Sequence, residues 1–524
     1  MKRVILIKII GVIVTLVILI KLLTIFFVEP GIRDKINAEL SGENRSYLVE
    51  TDKVHILIIR SGVELENIKI RSKEEQPGNL GFNGVIGSMK FKGIRLAKAI
   101  FKKDIHIREV IISNSSITGK FPFTREAILP VVTPFTIRIS NILFDTIDIA
   151  VENSSDKQAF YVKEGVLKVY GLELKKQDTL SLSIINQFDF TAKKIVSVSP
   201  NSMHSYTAGG VIYSEASNSL AIDSFFVHPN YTDYDFTSRY QFQTSRVEAV
   251  FSNICLYDFY AADYISSGNL VSTWIEIGKM DMKVFRDKRK EFRHINRPVF
   301  QNLIYNYPDN IQIDSIGLLD GNVTYTEHAE EANKSGGISF NEINAKIYKI
   351  SNDTIYKTNS AFLEFKGNAL LMGKGRMTIL LKGRIFDSHN RFSVEGTLSE
   401  LDANELNPIL EKSAFVYATS GKIDAMNFSF MADNTKATGE MTMLYHDLHL
   451  TVKNKRTDDT TAFKERFISF VANRRVLDSN PVPGGEVRVG IIDSERDPER
   501  FLIHYCFRAL LSGMKSSFLR YPKK

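Results

Sequence analysis

The chain has 524 residues, 44% of them hydrophobic, with a net charge of +7 and a pI near 9.0. That apolar share is ordinary for a folded protein and excludes disorder as the default, while the length is too great for one compact β-domain. The basic excess is spread thinly, which argues against nucleic-acid binding.

The first predicted element is a helix. The chain opens MKRVILIKIIGVIVTLVILIKLLTIFFVEPG, and residues 9–28 are apolar apart from Lys21, long enough to span a bilayer. Lys21 can snorkel to the head groups, and Lys2, Arg3 and Lys8 place the amino terminus in the cytoplasm. A cleaved signal peptide is the competing reading, but the run exceeds a usual signal core and no A-x-A-like site follows it. The expectation is an uncleaved signal anchor. No later segment could span, so residues from about 31 onward are expected outside the cytoplasm.

Past residue 50 helical periodicity nearly vanishes and short alternating runs take over. A short amphipathic helix, IRLAKAIF, is expected over 94–101. One strand pattern then recurs. Ile105, Ile107, Val110 and Ile117 stand at offsets 0, 2, 5 and 12; Ile137, Ile139, Ile142 and Ile149 repeat them, as do Ile311, Ile313, Ile316 and Val323. A looser relative begins at Val63, Leu65 and Ile68. The step from two residues to three moves the dry face by one, so each copy reads as a strand that bulges and then turns into its partner. Further alternating runs follow the second and third copies: Phe160, Val162, Leu167 and Val169, and then Ile338, Phe340, Ala345 and Ile347. Repetition on this scale predicts an elongated stack of similar β-units.

Between these units lies the one basic run, FRDKRKEFRHINR at 285–297. Asp287 and Glu291 within it favour a solvated loop or strand edge, with anionic lipid head groups as a second use. Leu363 and Phe365, then Met377, Ile379 and Leu381, then Phe392, Val394 and Leu398 predict three successive one-sided strands, punctuated by glycines. DANELNPILEK follows as a short helix with Asp402 as N-cap and Pro408 limiting its length. In NFSFMADNTKATGEMTMLYHDLHL, 427–450, apolar positions alternate on either side of Asp433-Asn434-Thr435-Lys436, the signature of a hairpin with one dry face. Two clearer helices are expected at 462–474 and about 498–518.

Chemistry is sparse. Cys255 and Cys506 form no CxxC or Cys/His cluster, which argues against zinc and thiol redox work; two free buried thiols are expected, a single disulfide being the other reading. The ten histidines show no HxH or HExxH arrangement. His446 and His449 are three apart on a predicted strand, so they should point to opposite faces. Asp493, Glu495, Asp497 and Glu499 lack the glycine and terminal glutamate of a calcium loop and read as helix-start carboxylates. No catalytic residue, cofactor or metal is expected.

With about thirty strands at ~4.8 Å each, the sheet would run on the order of 140 Å. A one-sided sheet of that size either folds into sandwiches or curls into a trough whose apolar lining needs an occupant. Periodicity does not choose between them.

The C-terminal part resembles the AsmA-like family of Gram-negative envelope proteins, whose relatives include TamB and the eukaryotic bridge-like lipid-transfer proteins. The resemblance is carried by GTLSELDANELNPILEKSAFVYATSGKIDAMNFSFMADNTKATGEMTMLYHDL (396–448), FISFVANRRVL (467–477) and FLIHYCFRALLSGMKSSF (501–518). Upstream, KVFRDKRK (283–290) followed by IQIDSIGLLDGNVTYTE (311–327) is similar to the middle of such proteins. The resemblance implies a mainly β protein: an elongated curved antiparallel sheet forming a groove, behind an inner-membrane anchor and closed by short C-terminal helices. It implies residues 1–30 as anchor, 31–395 as repetitive groove and 396–524 as the AsmA-like region. It further implies phospholipid as the partner, moving through the periplasm between inner and outer membrane, with an outer-membrane or periplasmic protein as a further expected partner. Groove residues would include Ile311, Ile313, Phe340, Ile347, Phe428, Phe430, Met441 and Met443, whose soft apolar side chains suit acyl chains and equally suit a core. A second expectation is an assembly factor or scaffold for outer-membrane proteins, pairing an exposed strand edge with its client. A surface adhesin of stacked sandwiches is the third.

Overall fold

The computed structural model of the chain describes residues 29–40, 47–57, 61–72, 81–95, 104–121, 129–130, 136–153, 158–174, 179–180, 187–354, 362–452 and 476–519. The expected anchor at 9–28 and helix at 462–474 lie outside them, as does all but Ile94 and Arg95 of the expected helix at 94–101. Among the described residues no helix is long and apolar enough to cross a membrane.

Alternating β-branched, aromatic and polar residues make strands of most of the described chain. Twenty strands form one mostly antiparallel sheet that does not close on itself, and Leu129–Pro130 pairs separately with Thr179–Leu180. The described residues hold fewer strands than the expected count of about thirty at ~4.8 Å spacing, because individual strands are long, several of them 16 or 18 residues.

The chain divides into two compact units, 1–202 with 206–220 and 261–267, and 203–205 with 221–260 and 268–524. The expected division between 395 and 396 falls inside a strand of the second unit, Phe392–Leu398.

In the first unit α1 (Glu29–Leu40) is followed by β1 (Tyr47–Leu57), β2 (Gly62–Ser72), β3 (Gly81–Lys92), β4 (Asp104–Phe121), β5 (Thr136–Asn153), β6 (Ala159–Leu174) and β7 (Phe188–Val198), with most of β8 (His204–Ser214). The second unit holds most of β9 (Ser219–Pro229), then α2 (Asp233–Ser238) and β10 (Ser245–Tyr257). After α3 (Ala261–Ser267), which belongs to the first unit, it continues with β11 (Leu270–Asp287), α4 (Phe300–Tyr305), β12 (Ile311–His328) and β13 (Gly336–Ser351). β14 (Leu363–Leu371), β15 (Gly375–Gly383), β16 (Phe392–Leu398) and β17 (Leu401–Asp402) precede a run of tight helical turns over 403–414. Asp402 precedes those turns in extended conformation but makes no side-chain cap. β18 (Val416–Ala432), β19 (Lys436–Val452), β20 (Val489–Glu495) and α5 (Leu502–Phe518) complete it.

The repeated pattern has a structural meaning that differs from the hairpin expected of it. β4 and β5 run parallel, with Ile105 beside Ile137, Ile107 beside Ile139, Val110 beside Ile142 and Ile117 beside Ile149. The first copy therefore lies against the second, like residue on like residue. The third copy, on β12, runs parallel to β11 and sets Ile311, Ile313, Ile316 and Val323 beside Leu270, Ser272, Ile275 and Met282. Those four are a further copy, concealed in the sequence by Ser272 at the second position. Its hydroxyl is buried and satisfied, donating to Tyr257 O at 2.7 Å and Trp274 O at 3.2 Å.

Each parallel pair is flanked by antiparallel partners, β3 and β6 in one unit, β10 and β13 in the other. The three long strands measure 18, 18 and 16 residues in both. The units thus share a four-strand module. Its first ladder also carries a matching irregularity that leaves the register unchanged: Asn114 (φ 54°) and Asn253 (φ 54°) sit in the left-handed region, each opposite a glycine. A Cβ on Gly87 would stand 3.0 Å from that of Asn114, and one on Gly278 2.9 Å from that of Asn253.

Candidate functional site

Strand register carries one apolar row through the second unit. Leu256 faces Ile275, Ile275 lies beside Ile316, and Ile316 faces Ile347. The row continues through Phe365, Leu381 and Val394 to Phe430. Intervening positions on β11 point the other way and are charged, among them Glu276, Lys279, Asp281 and Lys283. Between Ile275 and Lys283 the sheet is one-sided, Phe285 beyond that stretch being buried on the opposite side against Tyr234 of α2, and the dry face is the candidate site.

At the C-terminal end that face is covered by the protein itself. Phe428, Phe430, Met441 and Met443 are 6%, 2%, 0% and 2% exposed, clustered with Ile492, Tyr505 and Ala509. Leu502, Cys506, Leu510 and Met514 of α5 pack against them. Gly513 admits the helix: a Cβ there would stand 2.7 Å from Ile492 Cγ1 and 3.1 Å from Met441 Cβ. These four expected groove residues therefore sit in core beneath α5, where burial contributes about 1.5–3 kcal/mol per large apolar side chain. The same burial pushes the Cys506 thiol and the Tyr445 phenol up to about 12.

The other four divide differently. Ile313 is buried beneath Phe300 and Ile304, with Ile311 and Ile347 partly buried around it, where α4 on the crossover from β11 to β12 returns over the face. Phe340 is partly buried against the C-terminal core. Met280, Met282, Leu318 and Val323 join neither of these clusters and, like Ile311, Ile347 and Phe340, are half-buried. Met282 lies beside Val323, which faces Phe340. Sequence reading passed over the methionines, although MDMKV at 280–284 shows the alternation that places them on this face.

The open stretch ends in cations. Arg286 follows Met280, Met282 and Val284 at alternate positions, so it shares their face, and it lies beside Glu327. Two segments distant in sequence meet there, Arg297 N donating to Pro498 O at 2.7 Å. The Arg297 guanidinium stands 4.7 Å from the Phe501 ring centre, and that of Arg500 stands 3.7 Å from Phe292. Lys288 pairs with Glu327 at 2.6 Å, Tyr325 donates to the same carboxylate at 2.8 Å, and Arg500 lies 3.7 Å from Asp497. Among the described residues, Arg286 Nε, Arg297 Nε and His504 Nδ1 are buried without a hydrogen-bond partner. Burial holds Arg286 below the ordinary guanidinium value; Tyr325 and Glu327 oppose that shift, while Arg500 and Arg297 add to it. His504 is lowered by burial and then by Arg500 and Arg508.

The described sheet edges are occupied. On β20 the amides of Ile491 and Asp493 donate to Ser516 Oγ and Ser512 Oγ of α5, both at 3.0 Å. On β1 the Asn37 side chain of α1 accepts from Thr51 N at 2.9 Å and donates to Thr51 O at 3.2 Å, while Glu29 accepts from Ile56 N at 2.8 Å. Helix side chains blunt both strands.

The remaining candidates resolve locally. Cys255 and Cys506 are both free and partly buried. His446 and His449 are exposed on the same face, contrary to the expected opposition, because Asp447 (φ 55°) inserts a bulge between them. His446 meets Asp424 at 3.0 Å and His449 meets Ser420 at 3.2 Å. On the polar face a depression of about 460 Å³ is lined by Lys346, Lys366 and Glu395 among others. Its lysines are engaged, Lys346 over the Trp274 ring and Lys366 with Glu364. No protein-family model matches the chain, and no curated protein matches it either.

Proposed function

We propose that the chain is an envelope lipid carrier, held in the inner membrane by residues 9–28, that binds phospholipid acyl chains on its apolar sheet face and conducts them between membranes. The observation that carries this reading is the half-buried stretch Met280, Met282, Leu318 and Val323, flanked by covered apolar surface. Apolar surface of this kind gains about 0.8 kcal/mol for each acyl CH₂ it removes from water, without any directional contact. The quoted resemblance to AsmA-like proteins points the same way. The scaffold reading is not favoured, since the strand-edge amides it would use at Ile491 and Asp493 already have partners.

Site-specific photocrosslinking in cells fed radioactive phosphate tests the reading. A photoreactive residue at Val323 should capture labelled phospholipid, while the same residue at Met441, beneath α5, should capture none. Capture at neither position, in protein of normal abundance, would remove the lipid reading.

A further inference from the structure

The open apolar stretch and the cationic cluster lie on one face and run into each other, Met280, Met282 and Val284 leading to Arg286. Resting on the lipid reading above, we propose that this margin is the headgroup end of a single phospholipid site. Arg286, Arg297 and Arg500 take the phosphodiester, and the acyl chains lie along Val284, Met282, Met280 and Val323.

Three observations converge on that ligand. Guanidiniums brought together from β11, the crossover and the start of α5 stand beside the carboxylates Glu327 and Asp497; Glu327 is already shared by Lys288 and Tyr325, and neighbouring Glu499 is engaged by His294. Two of those guanidiniums keep a buried Nε without a partner among the described residues. A buried donor on a cation is costly to leave unmade, and a phosphate oxygen matches the planar fork of arginine. Third, the strand from Arg286 back to Met280 spans six residues, about 20 Å at ~3.3 Å each. One leaflet of a bilayer core is about 15 Å deep, so the stretch is long enough for an acyl chain with its phosphate at Arg286. Phe292 and Phe501, stacked on Arg500 and Arg297, hold the guanidiniums in place.

The test uses the full chain carrying the photoreactive residue at Val323 and zwitterionic vesicles doped with either fluorescent phosphatidylglycerol or a fluorescent diacylglycerol of the same chains. The parent should capture the phospholipid at least about tenfold better, the equivalent of one charge-assisted hydrogen bond. Arg286→Gln with Arg500→Gln should erase that preference and leave diacylglycerol capture unchanged. Should the double variant melt early, Arg297→Gln alone carries the same expectation. A variant that folds and still prefers the phospholipid overturns the headgroup site while leaving the lipid reading intact. Capture of neither lipid by the parent overturns both.

Discussion

The hairpin of β18 and β19 and the paired strands β11 and β12 show the same apolar alternation with opposite outcomes. In the hairpin the dry face meets α5, and Met441 is fully buried. On β11 the equivalent methionines, Met280 and Met282, are half-buried, and their row runs out into Arg286. A period of two fixes which side of a strand is apolar. Whether that side becomes core depends on an element delivered from elsewhere in the chain and on a residue that lets it approach. Here α5 arrives some sixty residues after Met441, and Gly513 lets it close.

The largest effect expected of this contrast is on stability. Met441→Asp buries an unpaired carboxylate beneath α5 and should cost at least about 4 kcal/mol. Met282→Asp places the same group on the open stretch and should cost about 1 kcal/mol or less. Chemical denaturation of both variants measures the difference. Equal losses would mean that the β11 face is covered in solution after all, and the contrast would collapse.

Much of this was legible beforehand. The one-sided strands, the hairpin at 427–450 and the C-terminal helix follow from period and turn chemistry, and the recurrence at offsets 0, 2, 5 and 12 is real. The parallel pairing of those copies was not, because offsets report which residues are apolar and say nothing about strand direction. Ser272 hid the fourth copy since its burial depends on hydroxyl bonds to Tyr257 and Trp274, which no hydrophobicity pattern records. The candidate site was half visible. Phe428 and Met441 have the right alternation for a groove, yet nothing local announces that α5 will lie over them. The cationic margin joins Arg286 to Arg500, more than two hundred residues apart, and only the fold brings those segments together.

A middle-sized effect concerns the covered edge, which sharpens the contrast from the helix side. Ser512→Ala with Ser516→Ala removes the hydroxyls that accept the β20 amides but spares the apolar packing of α5. The pair should lower stability by about 1–3 kcal/mol and should speed hydrogen exchange at Ile491 and Asp493 well beyond that at Met441. Uniform loss of protection across β19 and β20 would show instead that α5 is held through those serines, and that the apolar cover is secondary.

The smallest effect separates the two regions by what holds them. Near the open stretch the end of β11 is fixed by charge: Asp287, 5% exposed, accepts from Arg289 N at 3.1 Å, Nε at 2.9 Å and Nη2 at 2.8 Å. Those side-chain bonds hold its carboxyl below the ordinary range, against the opposing effect of burial. A depressed folded value means that the stabilisation is complete above the unfolded value of about 3.9 and is lost as pH falls through the lower folded value. The core of the covered hairpin, Phe430, Met441 and Ile492, has no such dependence, but its turn does: Asp433 accepts from Thr435 N at 2.7 Å and Lys436 N at 3.0 Å, and against burial these bonds hold its carboxyl below the ordinary range. Lowering the pH from 5 toward 3 should therefore loosen hydrogen exchange around Phe285 and Asp287, and at the Asp433 turn, before it touches the paired stretch of β18 and β19 around Phe430 and Met441. Asp287→Asn should flatten that acid response at the end of β11 and leave the hairpin unchanged. Simultaneous acid loosening of both regions would mean that they open as one cooperative piece, and that the difference in their cover has no counterpart in local stability.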